Sequence, residues 1–338
     1  MLPLRGVIDS PDIPLNVSRS ALQSDRRVKS IGNFIAKKLA DKLKTLKKDE
    51  TQFYADIWDS ISPFIKIGAM EDEKFSEQVK EIILYSTTKN TSADNEDNNE
   101  LIKSGSKTFT TLDGYKNRLT DENKKVLYST DEVSQSTALN MWTSQGKEVL
   151  KLDTVIDTQF IPWLEEKNKE INFVRVDSEL DESIKDDSPE IADKDGNTKS
   201  ETLKKMISSA LNNEKVTVQV QSLKGENSPP SLILLPEQMR RINDITALME
   251  QKLPGLPEYH NLIVNSNHPL IQGLLKLNSN PIVVEGTSKS EESQLASDIA
   301  IHVYEMAKLS IGGLENKDIA AFQTRNAEVL GKLMKKFV

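Results

Sequence analysis

The chain holds 338 residues, with 44 Lys plus Arg against 52 Asp plus Glu, a net charge of −8, and 37% hydrophobic residues. That length fits roughly two or three domains, and that balance fits a globular chain rather than a disordered one. With no cysteine, disulfides, thiolate zinc sites and a Cys nucleophile are excluded.

His260, His268 and His302 show neither HxxxH nor HExxH spacing, so no metal site is expected. No apolar run approaches the ~20 residues that span a bilayer, so no membrane contact is expected. The opening Met1-Leu2-Pro3-Leu4-Arg5-Gly6 lacks the charged and apolar regions of a signal peptide. The expected localisation is cytoplasmic.

Leu4 to Asp9 reads as a short strand, followed by a turn at Pro11 and Pro14. Val28, Ile31, Ile35, Leu39, Leu43 and Leu46 recur at steps of three and four, which predicts a long amphipathic helix. Arg26 to Lys48 carries nine basic residues and one acid, a net of +8. No aromatic interleaving or nucleic-acid motif accompanies it, so no nucleic-acid partner is expected. Further helices are predicted over Glu50–Ile61 and Asp72–Tyr85. Ser86 to Lys107, rich in Asn, Ser, Thr, Asp and Gly, reads as a loop.

Beyond it, helix and strand alternate. A short helix over Leu112–Leu119 precedes strand Val126–Tyr128, helix Asp131–Gln145 ended by Gly146, and strand Glu148–Leu152. A helix to about Lys169 and strand Ile171–Val176 follow. This alternation predicts βαβ units and a parallel sheet. No GxGxxG or GxxxxGK phosphate loop occurs in it. Asp177 to Asp195 then holds nine acids and two lysines, a net of −7, as a solvated linker would.

After the linker, a helix is predicted over Glu201–Asn212, with strands Val216–Val220, Ser231–Leu235 and Leu262–Val264. A helix from Pro236 to Glu250 and one opened by Pro269 separate or follow them. In the tail, Leu295, Ile299, His302, Met306 and Leu309 form one helical stripe. Beyond Gly312-Gly313, Ile319, Phe322, Val329, Leu330, Leu333 and Phe337 form another. Two helices cannot enclose a core. Either they fold back on their own domain, or they pair with a second copy as a four-helix bundle under two-fold symmetry.

One segment carries chemistry. In Leu15-Asn16-Val17-Ser18-Arg19-Ser20-Ala21-Leu22-Gln23, Ser18 is an N-cap, Arg19 opens the helix, and Gln23 lies one turn on along the same face. A guanidinium, a carboxamide and free helix-start N–H groups suit an anion, above all a phosphate. A capping Ser followed by a surface Arg is also an ordinary helix start. No nucleotide pocket lies nearby.

The run Arg5-Gly6-Val7-Ile8-Asp9-Ser10-Pro11-Asp12-Ile13-Pro14-Leu15-Asn16-Val17-Ser18-Arg19, completed by Leu22 and Gln23, closely resembles the middle-domain segment of the heat-shock protein 90 chaperones, of the bacterial HtpG type. Thr111-Leu112-Asp113-Gly114-Tyr115, Gly146-Lys147-Glu148-Val149-Leu150-Lys151-Leu152 and Leu262-Ile263-Val264-Asn265 with His268-Pro269-Leu270 continue it in order. The MEEVD ending of eukaryotic members is absent, as the chain stops at Lys335-Lys336-Phe337-Val338.

The resemblance implies an α+β or α/β multidomain fold: α/β/α middle subdomains followed by a mixed α/β dimerisation domain ending in a helical pair. It places the end of the large middle subdomain with a helical connector at 1–85 and a small βαβ subdomain at 108–176. The acidic linker then spans 177–198, and the C-terminal domain spans 199–338. It implies a chaperone fragment without cofactor of its own, inactive alone, with ATP and Mg held by an N-terminal ATPase domain lying elsewhere. Arg19, Gln23 and Asn16 would reach the γ-phosphate when that domain docks. Unfolded client proteins would meet Met239, Ile242, Ile245 and Met249, which share one face of the helix from Pro236, and the aromatic pair Phe160 and Trp163, though Pro162 sits inside that helix and removes a backbone donor. From its residues alone, the helix from Pro236 reads sooner as an ordinary core face. A homodimer would form through Leu295, Ile299, Met306, Leu309, Phe322, Leu330 and Leu333. A non-enzymatic dimeric scaffold is the competing reading.

Overall fold

The computed structural model describes residues 26–90, 101–119, 124–178, 180, 198–225, 228–235, 259–279, 289–311, 313–314 and 316–334. The chain forms two compact units, 1–128 with 150–173, and 129–149 with 174–338.

In the first unit, α1 (Arg26–Asp49), α2 (Thr51–Glu71) and α3 (Glu73–Val79) follow one another with single-residue joints. The basic helix is present as expected. The next differs: α2 runs ten residues past Ile61, through Pro63. The face bearing Trp58, Ile65 and Ala69 stays buried across that proline, so packing outweighs its missing donor. Asp72 makes the corner. Its backbone caps the end of α2, and its Oδ1 accepts from the N–H groups of Lys74 at 2.8 Å and Phe75 at 3.0 Å, the N-cap bond that starts α3. Gly68 makes room for this corner, since a Cβ there would lie 3.0 Å from the Phe75 ring.

The segment read as a loop after residue 85 supplies three strands instead, β1 (Tyr85–Thr87), β2 (Ile102–Ser104) and β3 (Lys107–Thr110). Then come α4 (Leu112–Asn117), β4 (Lys125–Ser129), β5 (Leu150–Lys151), α6 (Asp157–Lys167) and β6 (Asn172–Arg175), while α5 (Ser136–Ser144), between β4 and β5, falls in the second unit. The six strands form one sheet in the order β2-β3-β1-β5-β4-β6. The sheet is not the purely parallel one expected. β1 runs antiparallel to both β3 and β5, and β2 to β3. Short polar strands such as Tyr85–Thr87 carry little hydrophobic signal, which is why composition alone reads them as loop. Gly146, at φ +74°, closes α5 in the left-handed conformation that favours glycine. Trp58, Tyr54, Val79, Val126, Tyr128 and Phe160 belong to one core, so α1–α3 and the sheet are built around the same centre.

In the second unit, α7 (Lys199–Leu211) opens with a complete capping box. Thr198 Oγ1 accepts from the Glu201 N–H, and Glu201 Oε2 accepts from the Thr198 N–H. Strands β7 (Val216–Gln221), β8 (Ser231–Leu234) and β9 (His260–Asn265) make a sheet in the order β7-β9-β8. β9 is parallel to β7 and antiparallel to β8. Helices α8 (Pro269–Ser279), α9 (Lys289–Ser310) and α10 (Asn316–Met334) complete it. The mixed α/β, two-unit architecture agrees with the expected α+β class.

Candidate functional surfaces

Asn16, Arg19 and Gln23 lie outside the described residues, as do Met239, Ile242, Ile245 and Met249. The surfaces that can be built from side chains are therefore the α6 aromatic pair and the tail helices.

Phe160 is completely buried, and its ring stacks on Trp163 with centroids 5.1 Å apart and planes at 20°. It belongs to the first core; Trp163 packs against that core and stays half-exposed. An external chain thus finds the edge of Trp163 here but no face of Phe160. What fixes the pair is a residue the sequence did not single out. Lys66 on α2 lies with its ammonium 5.4 Å from the centre of the Phe160 ring, within cation–π range. The same Nζ donates to Asp157 Oδ1 at 2.5 Å, with only 5% and 2% of the two side chains exposed. The other oxygen of Asp157 accepts from the Thr154 N–H at 3.1 Å and Oγ1 at 2.6 Å. Nearby Tyr85 is fully buried, and burial first, then the carboxylates of Asp157 and Asp113, hold its phenol protonated far above the ordinary range. The pair is 91 residues apart in sequence, so no local pattern signals it. Only a lysine on the buried face of α2, between Ile65 and Ala69, hints at it.

On the tail, α9 is two-faced. Leu295, Ile299, Ala300 and Val303 are buried in the second core, and Ser231 of β8 donates its hydroxyl to the Val303 carbonyl at 2.9 Å. Leu295 and Ile299 therefore serve their own unit first. Met306 and Leu309 are 41% and 51% exposed. On α10, Val329 is buried, Phe322 is half-buried, and Leu330 and Met334 are 54% and 63% exposed. The side chain of Leu333 lies outside the described residues.

Polar contacts tie the two helices together. Lys332 Nζ meets Asp298 Oδ2 at 2.7 Å, Arg325 pairs with Glu305, and Lys308 lies 3.9 Å from Asp318. The His302 ring stacks on Phe322 at 5.3 Å and 9°. Burial pushes the Asp298 carboxyl up, but hydrogen bonds from Lys332 and Gln294 outweigh that and hold it below the usual range. Burial lowers His302, Glu305 opposes the change, and Arg325 adds to it. His302 Nδ1 and Glu305 Oε2 are buried without a hydrogen-bond partner among the described residues. His260 Nε2 lies 2.9 Å from Tyr304 Oη with the rings stacked. His268 Nδ1 accepts from the Leu270 N–H at 3.1 Å, which makes it a structural cap at the start of α8.

Among the described residues no cluster of His, Asp and Glu could hold a metal, and no helix is long and apolar enough to cross a membrane.

Three relatives show what the chain is similar to. The chaperone protein HtpG of Porphyromonas gingivalis is 34% identical over 296 residues, which is 80% of this chain and 39% of the relative. That of Bacteroides thetaiotaomicron is 33% identical over 287 residues, again 80% and 39%. That of Idiomarina loihiensis is 29% identical over 338 residues, 98% of this chain and 47% of the relative. The chain thus spans less than half the length of the curated relatives it matches. The family model described as Hsp90 protein matches residues 2–336, nearly the entire sequence, and the chain belongs to the heat-shock protein 90 family.

Proposed function

We propose that this chain supplies the client-handling and dimer-forming part of an ATP-dependent chaperone. The family match over residues 2–336 carries the reading. The tail helices support the dimer. Each exposes two large apolar residues, Met306 and Leu309 on α9, Leu330 and Met334 on α10. Exposed apolar surface of this kind is covered by association, and under two-fold symmetry the same face serves both copies. Unfolded segments of other proteins are the proposed clients, met by Met239, Ile242, Ile245 and Met249, whose flexible methionines adapt to varied partners. Trp163 offers a smaller contact.

In this reading the protein works in the cytoplasm, in folding under stress. Arg19, Gln23 and Asn16 reach the γ-phosphate of ATP, which with Mg is held by a separate N-terminal ATPase domain. A guanidinium at a helix start suits the charge that a transferring phosphoryl group spreads over its oxygens. Ultracentrifugation of the chain at micromolar concentration tests the dimer: a two-fold mass is expected, and Leu309→Asp with Leu330→Asp should halve it. A monomeric wild type would refute it. In a polypeptide that includes the ATPase domain, Arg19→Ala should cut turnover by about two orders of magnitude or more. Unchanged turnover would remove Arg19 from the chemistry.

A further inference from the structure

The chain has eight methionines and no cysteine, so the thioether is its only sulfur. Five of the methionines have described side chains, and those five are not equivalent. Met141 is buried, and Met70 and Met206 are half-buried against the two cores. Among the described residues only Met306 on α9 and Met334 on α10 are exposed, at 41% and 63%.

The two share their surroundings. Each has an exposed leucine one turn away on its own helix, Leu309 after Met306 and Leu330 before Met334. Each also lies beside an ion pair that ties the helices together, Glu305 with Arg325 at Met306 and Asp298 with Lys332 at Met334. These pairs fix α9 and α10 antiparallel, so the methionines stand toward opposite ends of the helical pair. A thioether is apolar and flexible, whereas its sulfoxide is polar and chiral. Covering a sulfoxide in an apolar contact without a hydrogen-bond partner is unfavourable.

We infer that Met306 and Met334 make self-association through the tail helices sensitive to peroxide. The inference rests on the dimer reading above. In the single chain both sulfurs are open to hydrogen peroxide. The sulfur lone pair attacks one peroxide oxygen, the O–O bond breaks, an S–O bond forms, and after proton transfer one water leaves. Sulfur loses two electrons and peroxide gains them. Association covers the same thioethers, so the dimer protects them, whereas the oxidised chain associates weakly.

The test uses the chain itself, hydrogen peroxide, peptide mapping by mass spectrometry and sedimentation. Met306 and Met334 should oxidise faster than Met141. Their oxidation should slow several-fold as the chain is concentrated from well below to well above its dissociation constant, while that of Met70 and Met206 should not depend on concentration. With both sulfoxides in place the Kd for self-association should rise about tenfold or more, with unchanged circular dichroism, and methionine sulfoxide reductase with a thiol reductant should restore it. Met306→Leu with Met334→Leu should show the same Kd before and after peroxide, which separates these two residues from the other methionines. An untreated chain that stays monomeric removes the dimer reading, and the switch with it. An untreated dimer that keeps its mass with both sulfoxides present overturns the switch alone. So do oxidation rates independent of chain concentration, or a double variant that dissociates on peroxide as the wild type does.

Discussion

Lys66 and Asp157 in the first unit, and His302 and Glu305 in the second, are all drawn out of water, yet only the first two meet. The ammonium of Lys66 is bonded to Asp157, backed by the Phe160 ring, and the second carboxylate oxygen is bonded by Thr154. His302 and Glu305 lie one turn apart on α9, and each keeps a buried atom without a partner among the described residues. An unmet buried acceptor or donor costs about 1–3 kcal/mol. The first unit satisfies this buried pair with its own residues. The second keeps two polar atoms buried without a partner among the described residues, on the helix that exposes Met306 and Leu309.

The largest effect expected follows from the buried pair. Lys66→Met or Asp157→Leu alone leaves one charge stranded and should cost about 3–5 kcal/mol of first-unit stability. The double variant removes both charges and should return to within about 1 kcal/mol of wild type or exceed it. Urea unfolding followed by the fluorescence of Trp58, buried in the same core, measures this. Single variants that cost little would mean the pair is less desolvated than its exposures of 5% and 2% indicate.

Next in size is the division of labour on α9. Ile299→Ala opens a cavity in the second core and should cost about 2–4 kcal/mol. Leu309→Ala, at an exposed position, should change the stability of the isolated unit by under about 0.5 kcal/mol while weakening self-association in sedimentation. If Leu309→Ala lowers stability as much as Ile299→Ala, α9 does not have a separate outward face. Smaller again, Thr198→Ala removes the capping box of α7 and should cost about 1 kcal/mol, with helix loss near residue 199 visible by hydrogen exchange.

What the sequence reveals follows how local each cause is. The stripe from Val28 to Leu46 is a one-helix signal, and α1 is there. Gly146 and His268 act within a few residues, and both do in the structure what their neighbours imply. The sheet was less legible. β1 is three residues with one hydrophobic member, and its strand character comes from pairing with β3 and with β5, some 65 residues later. Lys66 and Asp157 are the extreme case, since either alone looks like an ordinary surface charge. For the tail, periodicity identifies Leu295, Ile299, Met306 and Leu309 as one stripe but cannot divide it. The approach of α7 and β8 does that, covering Leu295 and Ile299 and leaving Met306 and Leu309 outside.

The smallest effect is the one that separates the units most cleanly. His260, His268 and His302 all fall in the second unit, and the first, 1–128 with 150–173, has no histidine. Burial lowers His268, and burial followed by Arg325, against Glu305, lowers His302. A folded pKa below the unfolded one means that protons prefer the unfolded chain. The stability from these neutral rings is then complete above about pH 6.5 and is lost as pH falls through the folded values. Asp298, also lowered by its bonds to Lys332 and Gln294 once burial is offset, contributes above the ordinary carboxylate range and fails only further down. Moving from about pH 7.5 to about pH 5.5 should therefore lower the urea midpoint of the second unit and leave that of the first in place. Trp142 reports on the second unit and Trp58 on the first, so variants retaining one tryptophan at a time distinguish them. His302→Phe should keep the stack on Phe322 and remove part of the slope. A first unit that softens equally over this range would show that the histidines are not the cause. A slope unchanged by His302→Phe would assign it to His268.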